Sequence, residues 1–173
     1  MGRKKDPNAI LELENKFYKK PRINSRTKGN AFERALAKKL NLRFDTTEFC
    51  RTPGSGGFAT THKLPEHLHV HGDLITPKDF KFIIEAKRGY DIKFEDIWKP
   101  KSKLFEFIAQ ATRDGEAGKK PWLLIYKKDR QKEIVICEVS LPSIPKATIK
   151  QYNLYLLEDI LALPDEVFYE GLD

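Results

Sequence analysis

Cysteine is scarce in this chain: Cys50 and Cys137 are the only two among 173 residues. Two thiols build no disulfide framework, and without a C-x-x-C spacing they build no zinc site. That usage fits a reducing cytoplasm, and both thiols are expected to be small buried hydrophobes within strands. No run approaches the roughly 18 apolar residues of a membrane span, so no membrane association is expected. The charged start, Met1-Gly-Arg-Lys-Lys-Asp-Pro, lacks the apolar stretch of a secretory signal. Internal repeats and low-complexity tracts are also missing. The loop Gly54-Ser-Gly-Gly57 lacks the G-x-x-x-x-G-K-[ST] frame of an NTP site. Ser55 has no spaced His and Asp partners that would make it a covalent nucleophile. A single methionine and few cysteines, among many Lys and Glu, point to a thermophilic host.

Charge is abundant and unevenly placed. The chain carries 32 Lys and Arg against 25 Asp and Glu, a net +7. Residues 1–28 hold nine basic and three acidic residues, whereas residues 151–173 hold six acids and no base. The excess predicts a polyanionic partner, because Lys and Arg release counterions from phosphates. Three segments are expected: a basic helix and arm over 1–27, a basic core over 28–150, and an acidic helical segment over 151–173. The arm either contacts nucleic acid or is simply solvated. The acidic segment is expected to face away from nucleic acid or to pack on a basic neighbour.

Periodicity outlines a mixed α/β domain around one sheet. Asp6-Pro7 reads as a helix start, with Ile10, Leu13 and Phe17 at helical spacing and Pro21 as the stop. Phe32, Leu36 and Leu40 predict a second helix over 29–40, with Glu33 beside that row. Strands are predicted over 43–52, 70–76, 80–87, 122–127 and 133–140, and helices over 101–115 and 152–163. Pro77-Lys-Asp79 reads as a three-residue turn. That turn pairs Thr76 with Phe80 and sets Asp73 opposite Ile83, so Asp73, Ile83, Glu85 and Lys87 project from one face.

Two carboxylates and an ammonium gathered on one face make chemical sense. Asp73 and Glu85 offer hard oxygens suited to Mg2+, which keeps waters and bridges to phosphate. Lys87 positions a water or stabilises developing charge. A plain salt bridge on an edge strand is the alternative, since Glu-x-Lys is common in charged proteins.

Gly72-Asp73, eleven residues, then Glu85-Ala-Lys87 resembles the PD-(D/E)xK nuclease core. Lys28-Gly-Asn-Ala-Phe-Glu33-Arg34 resembles the first helix of archaeal-type Holliday-junction resolvases, and Arg51 with Gly54-Ser-Gly56 resembles their Arg and Ser-Gly loop. Gln110 matches a polar position that several superfamily members use beside the active site. The resemblance spans roughly 28–126. It implies a restriction-endonuclease-like fold, a central mixed β-sheet flanked by helices. It also implies a Mg2+ site (Mn2+ substituting) held by Glu33, Asp73, Glu85 and the Ala86 carbonyl. Lys87 becomes the catalytic lysine and Ser55 a further catalytic contact at the scissile strand. Lys28, Arg34, Arg51, Ser55, Arg88 and Gln110 become DNA contacts. The implied activity is paired nicking of a four-way DNA junction by a homodimer. Another PD-(D/E)xK nuclease acting in repair, restriction or exonucleolysis is the runner-up, and a non-catalytic nucleic-acid-binding protein is the reading outside the enzyme class.

Other features stay open at this level. All four histidines, His62, His67, His69 and His71, lie within ten residues. They are expected to be solvated or to meet phosphate rather than to bind Zn2+ or Mn2+, with His71 sharing the parity of Asp73. Trp98 and Trp122 read as core or rim packing, although Trp98 in Trp-Lys-Pro-Lys has the setting of a base-stacking residue.

Overall fold

The computed structural model describes residues 25–53 and 71–171. Within them, helix α1 (Ser25–Arg43) leads to a seven-stranded sheet. Its strands are β1 (Cys50–Arg51), β2 (Leu74–Ile75), β3 (Ile83–Arg88), β4 (Trp122–Lys127), β5 (Ile134–Cys137), β6 (Ala147–Ile149) and β7 (Tyr152–Leu156). The spatial order is β1-β2-β3-β4-β5-β7-β6. Among the described strands only the β3–β4 pair is parallel, and α2 (Lys103–Gly118) makes that crossover. Short α3 (Leu157–Leu161) follows β7. This is the expected central mixed sheet flanked by helices. No helix among the described residues is long and apolar enough to cross a membrane.

Strand alternation builds two cores, one on each face of the sheet. Ile84, Ala86, Leu123, Ile125, Val135 and Cys137 meet Phe32, Leu36 and Leu40 of α1 on one face. Ile83, Trp122, Leu124 and Ile136 meet Leu104, Phe107, Ile108 and Ala111 of α2 on the other. Glu85 belongs by parity to the α2 face, inside a strand otherwise buried among aliphatics.

Several expectations are corrected. The helix expected over 29–40 begins earlier and runs on to Arg43, so the strand expected over 43–52 shrinks to Cys50–Arg51. Asn41 explains the loss: its amide exchanges two hydrogen bonds with the Phe49 backbone, at 2.8 and 2.9 Å, and holds the connector as a loop. Cys50 is exposed on the edge strand β1, not buried, whereas Cys137 is buried as expected. The stretch expected as a helix over 152–163 begins instead as β7. Tyr152, Leu154 and Leu156 alternate along it, and the hairpin turn before it is closed by Lys150 at φ 54°. Its acids do meet basic neighbours, through Glu158–Lys132, Asp159–Lys146 and Asp165–Arg43 ion pairs. The helix expected over 7–20 lies outside the described residues.

The β2–β3 hairpin keeps the expected parity but shifts register by two. Leu74 faces Ile84, which sets Asp73 opposite Glu85 rather than Ile83. The expected turn does form, with the Phe80 N–H donating to the Pro77 carbonyl at 3.1 Å, but the residues after it do not return directly to β2. Residues 79–81 pair instead with residues 168–170, through Lys81 N–H to the Phe168 carbonyl (2.7 Å) and Glu170 N–H to the Asp79 carbonyl (3.0 Å). Phe168 and Tyr169 then pack into an aromatic cluster with Phe44 and Phe80.

Candidate active site

Asp73 is delivered by a constrained backbone. Gly72 sits at φ 82°, and a Cβ there would come within 2.6 Å of the Ile84 carbonyl oxygen. The Thr52 hydroxyl donates to the Gly72 carbonyl (3.1 Å), and the Thr52 N–H donates to the Asp73 carbonyl (3.0 Å). The carboxylate of Asp73 then accepts from the Ala86 N–H and from Lys87 Nζ, both at 3.0 Å. Lys87 Nζ also donates to Glu85 Oε2 at 2.8 Å, so one ammonium bridges both acids. Glu85, only 1% exposed, receives Gln110 Nε2 on its other oxygen at 2.7 Å.

The charges within this cluster do not balance if both acids ionise. Burial pushes the Glu85 carboxyl up to about 10, and the Asp73 carboxylate beside it pushes the same way, as does Asp114 from α2. Burial also opposes ionisation of Asp73, but its bonds from Glu85, Lys87 and the Ala86 N–H outweigh this and hold it below the usual range. Burial works against the charge on Lys87; the two acids more than offset it and raise its pKa. The pair therefore shares one proton, kept on Glu85, with Asp73 and Lys87 charged.

A cavity of about 320 Å³ opens beside this cluster. Glu33 from α1 lines it together with Asp73, Ala86 and Lys87, and Arg26, Arg88 and Tyr90 stand around it. Glu33 does not reach the other two acids in a ligand-like cluster; among the described residues, no three of His, Cys, Asp and Glu come together to hold a metal. Its carboxylate is instead engaged by Arg51, which also donates to Asn30. Lys28 and Arg88 share Asp129, and Arg34 is exposed on α1. Asp73 and Glu85 nonetheless fit a divalent cation. They are buried hard-oxygen donors, and Ala86 directs its N–H, and by strand geometry its carbonyl, to the same edge past the end of β2. Ser55, His62, His67 and His69 lie outside the described residues, while His71 packs beside Gly118 at the end of α2.

Sequence reading missed Asp114. Its signal is the i, i+4 spacing from Gln110, which places both on one face of α2 toward Glu85.

No curated protein and no solved structure matches the chain. Residues 24–158 match the family described as "Phage putative PDDEXK endonuclease". That span contains α1, the Asp73–Glu85–Lys87 hairpin and the α2 crossover, all within one mixed sheet. The chain belongs to this family of PD-(D/E)xK nucleases.

Proposed function

We propose that the protein is a divalent-metal-dependent DNA endonuclease that cuts branched DNA, the four-way junction foremost, as a homodimer. The observation that carries the catalytic part is Lys87 Nζ lying 3.0 Å from Asp73 and 2.8 Å from Glu85, at the point where β2 ends and the cavity opens. Asp73, Glu85 and the Ala86 carbonyl would hold Mg2+ or Mn2+. Such an ion acidifies a bound water and takes up charge on the phosphorane-like transition state. Gln110 fixes the rotamer of Glu85 by holding Oε1. Lys87 stays protonated between the two acids and faces the phosphate as a point cation. Arg26 and Arg88 line the cavity and draw the backbone in, with Lys28 and Arg34 further along α1.

A branched substrate is favoured by the likeness of Lys28-Gly-Asn-Ala-Phe-Glu33-Arg34 and of Arg51 to the motifs of junction resolvases. The absence of a base-reading motif in the sequence favours recognition by shape. Another nuclease of the same core is the second reading.

The test is cleavage of four-way junction, duplex and single-stranded DNA with and without Mg2+. Paired symmetric nicks confined to the junction are expected. Equal cutting of plain duplex overturns the junction claim, and no cutting of any DNA overturns the nuclease claim. Asp73→Asn is expected to abolish cleavage while junction binding persists; a variant that cuts normally would show the site to be misplaced.

A further inference from the structure

Trp98 is 65% exposed, whereas the other tryptophan, Trp122, is 4% exposed. A large aromatic held in water forgoes the stabilisation of burial, so its support is informative. Trp98 ends a 3-10 helix, Phe94–Trp98, that is anchored at Asp96 and through Ile97. The Lys93 N–H donates to Asp96 Oδ2 at 2.9 Å, and the Asp96 carbonyl accepts from Ser102 Oγ at 2.8 Å and from the Lys99 N–H at 3.3 Å. Ile92 and Ile97 pack on the α2 core. The ring is thus presented from a fixed support.

The segment also connects to the catalytic cavity. Tyr90, 41% exposed, lines that cavity with Asp73 and Lys87. Its ring stands edge-on to Phe107 at 4.7 Å, and Lys87 Nζ lies 5.9 Å from the same Phe107 ring. From Tyr90 the chain continues within eight residues to Trp98, then through Lys99, Lys101 and Lys103 into α2. Lys99 and Lys103 pair with Asp96 and Glu106 across exposed contacts that phosphate can displace. Cations that follow a backbone, alternating with an aromatic face, make a single-strand platform.

We propose that Trp98 stacks on an unpaired base of the DNA whose phosphodiester is held at Asp73 and Lys87. This rests on the nuclease reading. A base inside a duplex has both faces covered by its neighbours. The platform therefore accepts only a strand with an open base: a single strand, a frayed end or the centre of a branch. Trp98 is then a positioning residue that selects where on a branched substrate the phosphodiester enters.

The test uses the full chain carrying Asp73→Asn, so that DNA is bound and not cut. A fluorescein-labelled oligothymidylate and an abasic strand of equal length and charge are titrated, read by anisotropy and by tryptophan emission. The oligothymidylate is expected to quench emission, and Trp122→Phe is expected to keep that quench. Trp98→Ala is expected to weaken oligothymidylate binding by about tenfold. Blunt duplex binding and the salt slope should stay unchanged, and Trp98→Phe should restore most of the affinity. Lys101→Ala is expected to do the opposite, weakening all DNAs alike and flattening the salt dependence. Equal affinity of Trp98→Ala and its parent for oligothymidylate, or equal binding of the abasic strand, overturns the stacking proposal and leaves the nuclease standing. Failure to bind any DNA overturns both.

Discussion

Glu85 shows most clearly how a single residue couples stability to chemistry. In the metal-free chain its proton is retained in the folded state up to about pH 10, while the unfolded chain releases it near the ordinary value of 4.5. Between those values the folded state binds more protons than the unfolded one, so stability falls as pH rises. The Asp73 shift has the opposite sign, but its window lies below 3.8 and does not overlap. In EDTA, the thermal midpoint is expected to drop from about pH 5 to about pH 9, and Glu85→Gln is expected to flatten that drop, since an amide stays neutral in both states. A wild-type midpoint as flat as that of the variant would contradict the shared proton. Mg2+ held by Asp73 and Glu85 as proposed would have to expel the same proton, so affinity for the ion is expected to rise with pH. Calorimetry in buffers of different ionisation enthalpy would detect the release. At this scale the sequence was informative: strand alternation set Glu85 and Lys87 on one face, and the three-residue turn reading added Asp73 to it, opposite Ile83 where the structure has Glu85. It was silent on Glu33 meeting Arg51, because no local pattern links residues 18 apart on different elements.

At the scale of elements, Gly72 joins β2 to the site. Its left-handed φ and the 2.6 Å approach to the Ile84 carbonyl leave no room for a side chain. Gly72→Ala is expected to cost about 1–3 kcal/mol in urea unfolding. It should lower cleavage more than Gly89→Ala does, because Gly89 also has positive φ but nothing within 4 Å of its Cβ position. Equal losses in both variants would show that the φ alone, not the contact with β3, matters. The strand Trp122–Lys127 was legible to the residue, since an apolar run bounded by Pro121 and by charge has few other readings. The hairpin register was not: the turn at Pro77 forms as read, but the residues that leave it pair with residues 168–170, which no local pattern announces. The run from Tyr152 was misassigned for a related reason. Its apolar residues satisfy both helical and alternating spacings, and only pairing with β5 and β6 decides between them.

For the whole molecule, the net +7 divides into a basic body and an acidic end held by its own ion pairs to Lys132, Lys146 and Arg43. Those three cations are thereby engaged by the acidic end, while Arg26, Lys87 and Arg88 line the cavity. DNA binding is accordingly expected to fall steeply between about 50 and 200 mM salt, with a slope set by the number of phosphates neutralised. Anisotropy titrations at several salt concentrations measure that slope, and a flat profile would rule out the cationic cavity as the binding surface. The pairing of Phe168–Glu170 with Asp79–Lys81 carries a further consequence, one of timing. During synthesis, a nascent chain that has reached residue 160 already holds every acid of the site. It lacks the segment that pairs with the lead into β3. Since domains fold as units as they emerge, this pairing is expected to close only after residue 170 has left the ribosome, later than every strand of the sheet.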